Sequence, residues 1–194
     1  MFTINSRVRS RSSITLTVGL LIALTLAGGV SFAAESPIRN IDVVLDGDRY
    51  RADVVMFAPV PLNIAWDVLT DFGHMSQWVP NVKESKATVT EPNVVMVEQQ
   101  GVARFGIFSF PYSSVRKMQL NPQKTVKSTQ IEGSMKQLES LMTLTPDGNG
   151  TRLNYHLEMV PAGLASAVLS KDFVQNELTE QFKAIIGEMV RRNR

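Results

Sequence analysis

The stretch Pro161–Arg194, PAGLASAVLSKDFVQNELTEQFKAIIGEMVRRNR, decides the fold of this chain. Its apolar residues recur every three to five positions, which is typical of a helix with one apolar stripe. At about 1.5 Å per residue such a helix would be roughly 40 Å long. A stripe of that length needs a broad apolar partner, and one curved antiparallel sheet would supply it and leave a hollow between them. The stripe comprises Leu164, Val168, Leu169, Phe173, Leu178, Phe182, Ile185, Ile186 and Met189.

The residues before this helix predict strands separated by turns. A loose arm at residues 35–40 leads into a short strand at Ile41–Leu45, and a hairpin turn then leads to a second strand at Tyr50–Phe57. Two short helices follow at Leu62–Thr70 and Met75–Val79, with a break at Gly73. The next predicted strands are 82–90, 94–105, 107–120, 125–132, 135–145 and 151–160. Consecutive strands joined by turns predict an α+β fold with an antiparallel meander.

Residues 1–33 have the layout of a secretory signal peptide. Arg7, Arg9 and Arg11 give a positive start, the run Ile14–Val30 is uncharged and mostly apolar, and Ser31–Ala33 offers small residues at a cleavage site. The chain is therefore expected to be periplasmic or secreted. The apolar run is close to the lower length limit for a bilayer-spanning helix, so an uncleaved membrane anchor is the alternative.

The charge of the chain depends on this leader. The chain has 20 Lys and Arg against 18 Asp and Glu. Removal of the three leader arginines leaves 17 basic residues, one fewer than the acidic ones. The remaining surface gives no reason to expect nucleic-acid binding. The basic tail Arg191–Arg194 complements the dipole of the last helix, and a transient membrane contact stays open as a second role.

Several motifs in order resemble the START-like, or SRPBCC, superfamily. Ala58–Phe72, APVPLNIAWDVLTDF, resembles the strand end and first helix of that superfamily, and Met75–Val82, MSQWVPNV, resembles the turn that follows. Val97–Gly101, Gly150–Tyr155 and the apolar last helix are further matches. The chain most resembles the polyketide cyclase/dehydrase and lipid transport branch, which includes coenzyme Q-binding START-type proteins.

This resemblance implies a helix-grip fold, in which a curved sheet wraps around a long C-terminal helix and two short helices follow the first long strand. The predicted organisation is a signal peptide at 1–33, an N-terminal arm and short hairpin at 34–49, and a START-like domain at 50–194. The expected function is binding of a hydrophobic small molecule or lipid, such as a quinone or fatty acid. A cyclase/dehydrase-type enzyme and an accessory protein that docks on a membrane or partner are the alternatives.

Aromatic, methionine and a few polar residues predict the cavity wall, because methionine adapts to flexible apolar ligands and single polar groups orient them. The mouth is expected at Phe72–Met75 and Trp78–Pro80, with Phe108–Tyr112 and Leu164–Leu169 completing the rim. The predicted cavity residues are Trp66, Phe72, Met75, Trp78, Gln99, Phe105, Phe108, Phe110, Tyr112, Met118, Leu138, Met142, Tyr155, Leu164, Val168 and Leu169.

The sequence offers little that could carry catalysis. It has no cysteine and two histidines, of which His74 falls in the break between the short helices and His156 on the solvent side of its strand. No familiar zinc spacing, phosphate-binding loop or Ser-His-Asp signature is present. The sequence therefore predicts no catalytic residue, no metal and no cofactor.

Overall fold

The computed structural model describes residues 36–194, except for 106–107, 164–165, 167–168 and the side chains of Phe105 and Phe108. In this part of the chain eight antiparallel strands form one sheet. The strands are β1 Ile38–Asp46, β2 Arg49–Ala58, β3 Val82–Glu91, β4 Val94–Phe105, β5 Phe108–Asn121, β6 Thr125–Gly133, β7 Met135–Asp147 and β8 Gly150–Pro161. The helices are α1 Leu62–Thr70, a 3-10 helix Phe72–Gln77 and α2 Lys171–Arg192.

The strand order is β1-β2-β8-β7-β6-β5-β4-β3. From β3 to β8 each strand pairs with the next one in the chain, as the predicted meander requires. The hairpin of β1 and β2 joins the other end of the meander, because β2 pairs with β8. The connection through α1 and the 3-10 helix therefore runs from β2 to β3, the strand at the opposite edge of the sheet. A simple meander has no connection of this kind.

The inner face of the sheet follows the alternation expected for strands with one buried side. Leu153, Leu157 and Met159 of β8 are buried, whereas Arg152 and Asn154 are exposed. Alternate residues of β2 are buried as well; they are Tyr50, Ala52, Val54 and Met56. This face supplies the apolar partner that the stripe of α2 requires.

Helix α2 begins later than the apolar spacing predicts. Ser170 has extended backbone angles, and its hydroxyl accepts a hydrogen bond from the Phe173 backbone N–H at 3.1 Å, so it is the N-cap. Asp172 in the first turn favours the same start. The prediction of a single helix that starts at Leu164 is therefore wrong. At about 1.5 Å per residue, α2 is about 33 Å long. The Tyr50 hydroxyl donates a hydrogen bond to the Leu169 carbonyl at 2.8 Å. This bond connects the residue just before the N-cap of α2 to β2.

Three smaller predictions also differ from the structure. β1 starts at Ile38 rather than Ile41, because residues of the expected loose arm pair with β2. The second short helix is a 3-10 helix that contains Gly73, and the break before it lies at Asp71. β7 extends to Asp147, so the turn to β8 is shorter than predicted. The class of the fold, an α+β helix-grip fold, agrees with the prediction.

A cluster of charges fixes the end of α2 to the 3-10 helix. Glu188 is buried and accepts hydrogen bonds from Arg191 and Arg192 at 2.6 Å. Arg192 also donates to Asp71 at 2.7 Å, and Asp71 lies 2.5 Å from the His74 imidazole. The hydrogen bond from Arg191 lowers the pKa of Glu188 to about 2, against the effect of burial and with help from Arg192. Burial raises the pKa of Asp71, but His74 and Arg192 outweigh it and hold it below its usual value.

Replacement of Phe182 tests whether α2 is gripped by the sheet. Phe182 is buried, and its ring meets the Tyr155 ring edge-on at 4.9 Å between centroids. Phe182→Ala is expected to lower the free energy of unfolding by about 3–5 kcal/mol, as measured by urea denaturation. The neighbouring exposed change Lys183→Ala should stay within about 0.5 kcal/mol of the wild type. A loss below about 1 kcal/mol for Phe182→Ala would contradict the buried position.

The charge cluster predicts a defined pH dependence of stability. Because the pKa of Glu188 falls from 4.5 to about 2 on folding, its stabilisation is complete above about pH 4.5 and disappears as the pH falls through about 2. Glu188→Gln should lower the free energy of unfolding by about 1–3 kcal/mol at pH 7, and this difference should shrink towards pH 2. The exposed control Glu180→Gln should show almost no difference at either pH. An effect of Glu188→Gln that is equal at pH 7 and pH 2.5 would refute this assignment.

Candidate functional site

A cavity of about 190 Å³ lies between α2 and the inner face of β4 to β8. Its walls combine an apolar surface with separate polar groups, as in sites that bind apolar molecules in one orientation. The apolar part consists of Leu138, Leu157, Met159, Leu169, Phe173 and Leu178. The polar groups include Gln99, Tyr112, Arg116, Gln130, Glu177 and Gln181.

A smaller cavity of about 80 Å³ continues towards α1 and the 3-10 helix. We call the two spaces the outer lobe and the inner lobe. The inner lobe has a mostly apolar wall with methionines from three different elements, Met75, Met118 and Met142. Arg116, Tyr155 and Gln181 line both lobes and therefore mark the boundary between them.

The outer lobe approaches the surface beside the ends of β6 and β7. These strands pair from Thr125 to Thr129 of β6, whereas β6 itself continues to Gly133. Beyond Thr129 the strands separate, and the Gln130 amide donates to the Met135 carbonyl across the gap at 2.7 Å. Ser113 and Ser134, which line the cavity here, are exposed or half-buried. The exposed Ser113 therefore brings the outer lobe close to the surface at this place.

Nine of the sixteen predicted cavity residues line one of the two lobes. Gln99, Tyr112, Leu138, Tyr155 and Leu169 line the outer lobe, and Tyr155 also reaches the inner one. The remaining four, Phe72, Met75, Met118 and Met142, line the inner lobe. Phe72 and Met75 are buried and line the inner lobe, whereas Gly73 and His74 between them are exposed, and the position of the mouth stays a prediction. Contact of these nine residues with a ligand stays a prediction.

The other predicted residues do not line either lobe or cannot be placed. Trp66 packs at the edge of the core, and Trp78 lies in a surface hollow beside Asp71 and Glu188, outside both lobes. The Phe110 ring meets the ring of Phe173, which lines the outer lobe, edge-on at 6.0 Å. Leu164 and Val168, together with the side chains of Phe105 and Phe108, lie outside the described residues.

Gln99 is buried on the inner face of β4, as its alternation predicts. Its amide nitrogen donates to the Ser85 hydroxyl at 3.0 Å and lies 3.4 Å from the Met75 sulfur. The Ser85 hydroxyl in turn donates to the Phe72 carbonyl at 2.5 Å. The Gln99 amide oxygen accepts a hydrogen bond from Arg116. Gln99 is therefore held in one orientation and presents its oxygen to the arginine.

Arg116 is the polar residue that the sequence analysis missed. It lies on β5 and lines both lobes, and its Nε is buried without a hydrogen-bond partner among the described residues. Burial lowers the pKa of its guanidinium, while the nearby phenols Tyr155 and Tyr112 oppose that change. The signal was available, because Arg116 shares the face of Phe110, Tyr112 and Met118 by period-two alternation.

Two tyrosines accompany Arg116 in the cavity wall. Burial raises the pKa of Tyr112, Arg116 opposes this rise, and Glu177 adds to it. Burial also raises the pKa of Tyr155, against a hydrogen bond with Ser140 and the charge of Arg116. Both phenols are therefore neutral hydrogen-bond donors over the physiological pH range.

The histidines lie on the surface, as predicted. His74 and His156 have side chains that are 62% and 45% exposed, and each pairs with an aspartate. Among the described residues no group of three or more His, Cys, Asp and Glu side chains is arranged to hold a metal ion. In the same residues no helix is long and apolar enough to cross a bilayer.

Residues 50–192 match the model of a family described as polyketide cyclase/dehydrase and lipid transport. A comparison with the curated proteins gave no match. The fold is similar to a Zhui aromatase/cyclase from Streptomyces sp. R1128, with 16% identity and a TM-score of 0.63 over 75% of this chain and 96% of the other. It is also similar to a STAR-related lipid transfer protein from Xanthomonas axonopodis, with 15% identity and a TM-score of 0.60 over 77% and 98%.

A START superfamily protein from Mycobacterium smegmatis is a third similar structure. It shares 13% identity and a TM-score of 0.61 over 73% of this chain and 97% of the other. At these identities the similarity concerns the fold. A helix-grip fold is therefore shared by proteins whose descriptions name cyclisation and lipid transfer.

A close backbone approach beside the cavity predicts an intolerant glycine. A methyl group on Gly101 would lie 2.0 Å from the Asn81 carbonyl oxygen and 2.6 Å from the Tyr112 hydroxyl. Gly101→Ala is therefore expected to lower the free energy of unfolding by about 1–3 kcal/mol in urea denaturation. The matched control is Gly187→Ala in α2, where nothing lies within 4 Å, and it should stabilise by up to about 1 kcal/mol. Equal stability of Gly101→Ala and the wild type would contradict this contact.

Proposed function

Because the chain belongs to the polyketide cyclase/dehydrase and lipid transport family, we propose that it binds a hydrophobic small molecule or lipid between α2 and the sheet. The observation that carries this proposal is the cavity itself, whose apolar side is supplied by β7, β8 and α2. Burial of apolar ligand surface would stabilise the complex by about 25 cal/mol per Å² before the costs of association. A quinone and a fatty acid are ligands of suitable character.

The size of the cavity favours a slender ligand. The outer lobe is about 190 Å³ and the inner lobe about 80 Å³, below the roughly 300–1,000 Å³ of most small-molecule sites. A single acyl or prenyl chain suits such a space. The methionines of the inner lobe can adjust their side chains to the part of the ligand that reaches them.

Cyclase/dehydrase-type catalysis is the second candidate. The observation in its favour is that Tyr112, Tyr155 and Arg116 meet in one cavity. The raised pKa values of both phenols weigh against it, because an acid-base catalyst works best with a pKa near the ambient pH. Binding without chemistry is therefore the function that the site supports better.

A role as a docking protein has less support. Such a role would need an exposed apolar patch, and Trp78 is the aromatic residue considered for it. Trp78 is half-buried, and the hollow beside it is lined by Asp71, His74, Glu188 and two arginines. That surface is charged rather than apolar, so it lacks the character of an apolar docking patch.

The proposal includes export from the cytoplasm. The basic start, the apolar run and the small residues at Ser31–Ala33 support a signal peptide. The protein would then carry its ligand in the periplasm or outside the cell. Retention of the leader as a membrane anchor remains the alternative location.

Filling the outer lobe tests the binding function. Ala103 lines this lobe, and Ala103→Phe should weaken binding of a neutral apolar fluorescent probe such as N-phenyl-1-naphthylamine by about tenfold or more. Ala87→Phe on β3 adds the same ring at an exposed position and should leave the affinity unchanged. Circular dichroism and thermal melting verify that both variants are folded. Unchanged probe affinity in a folded Ala103→Phe variant would place the bound probe elsewhere.

Determination of the mature N-terminus tests export. The protein is expressed from its full gene, and the extracytoplasmic fraction is expected to contain a chain that begins at Ala34. N-terminal sequencing of that fraction gives the result directly. Recovery of a chain with the leader intact in the membrane fraction would favour the anchor instead.

A further inference from the structure

We propose that the ligand of this cavity carries an anionic head group, with a carboxylate as the simplest case, and that Arg116 binds it. This inference rests on the proposed binding function and specifies the class of ligand. Its basis is the juxtaposition of an uncompensated guanidinium, an unpartnered hydroxyl and an apolar wall within one cavity.

Arg116 has no negative partner in the described part of the chain. Its only hydrogen bond there goes to the neutral amide oxygen of Gln99. The acidic residue in the cavity wall, Glu177, is already engaged, because its carboxylate accepts from the Asn81 amide at 2.9 Å and from the Arg104 backbone N–H at 3.3 Å. The undescribed residues at 106–107, 164–165 and 167–168 are all uncharged in the sequence.

Arg116 is half-buried, and a cation whose Nε is shut off from solvent is costly unless an opposite charge approaches it. Arginine stays protonated in proteins, so Arg116 cannot escape this cost by losing its proton. The Arg116 Nε–H and the hydroxyl of Ser128 are both buried and have no hydrogen-bond partner among the residues that the structure describes. Both residues line the inner lobe, so two unused donors face the same small space.

A carboxylate fits these donors and the surrounding wall. Its two oxygens can accept hydrogen bonds from a guanidinium in the parallel geometry that makes such pairs strong. The phenol of Tyr155 lies at the same boundary between the lobes and adds a third donor. From that boundary an acyl chain would extend along Leu157, Met159 and Leu178 in the outer lobe.

Ligands that differ only in head-group charge test the proposal. Displacement of N-phenyl-1-naphthylamine from the full mature protein is measured with dodecanoate, 1-dodecanol and dodecyltrimethylammonium, each below its micellar concentration. The wild type should bind dodecanoate about ten- to a hundredfold more tightly than dodecanol, and the cation most weakly. Because the contact is buried, the preference should persist in 0.5 M NaCl.

Two variants that each lose one arginine show which residue causes the preference for dodecanoate. Arg116→Met should abolish the preference for dodecanoate over dodecanol. Arg104→Met removes an exposed arginine from neighbouring β4 and should leave the preference intact. Thermal melting establishes that each variant is folded. If Arg116→Met does not fold, the salt-resistant preference of the wild type and its reduction in Ser128→Ala decide the question.

The possible failures are distinguishable. Equal affinity of the wild type for dodecanoate and dodecanol, or a preference that persists in folded Arg116→Met, would overturn the anionic head group and leave apolar binding intact. If the preference for dodecanoate disappears in 0.5 M NaCl, the charge that causes it lies on the protein surface, and the proposal is also overturned. Failure of the probe and of all three ligands to bind would overturn both this inference and the proposed function.

Discussion

The structure depends on burial of one apolar stripe of α2 against one face of a single sheet. Phe173, Leu178, Phe182, Ile186 and Met189 are all buried there. A sheet wide enough to cover a helix of about 33 Å must curve around it, and a curved sheet touches a straight helix along only part of its length. The two lobes occupy the space that remains. The cavity is thus a consequence of the same packing that stabilises the fold.

Polar groups in this space give the cavity its chemical character. Close-packed interiors normally pair their buried polar atoms, so the donors at Arg116 and Ser128 that have no partner in the described part of the chain are exceptions. The charge cluster around Glu188 is the opposite case, because each of its carboxylate oxygens meets an arginine. The charges around Glu188 therefore hold α2 against the 3-10 helix, whereas the guanidinium of Arg116 has no opposite charge beside it among the described residues.

Local periodicity predicted most of the fold and part of the site. The bounds of α1 and β4 and the inward face of β2 followed from residue spacing alone, because each is set by neighbours along the chain. The pairing of β2 with β8 did not follow from residue spacing, because residues about a hundred positions apart carry no local signal of their contact. The start of α2 was misplaced because apolar spacing outweighed the cap signal of Ser170. Arg116 did not follow from the aromatic and apolar content of β5, because a charged residue in a strand normally faces solvent.

The most direct test of the central claim is to observe where a bound acyl chain lies. Nuclear Overhauser effects between dodecanoate and methyl-labelled protein report contacts over a few ångströms. The account predicts cross-peaks from the chain methylenes to the methyl groups of Leu157, Met159 and Leu178, which face the outer lobe. Cross-peaks confined to outer-face residues such as Val44 and Leu141, which are exposed, would contradict binding between α2 and the sheet.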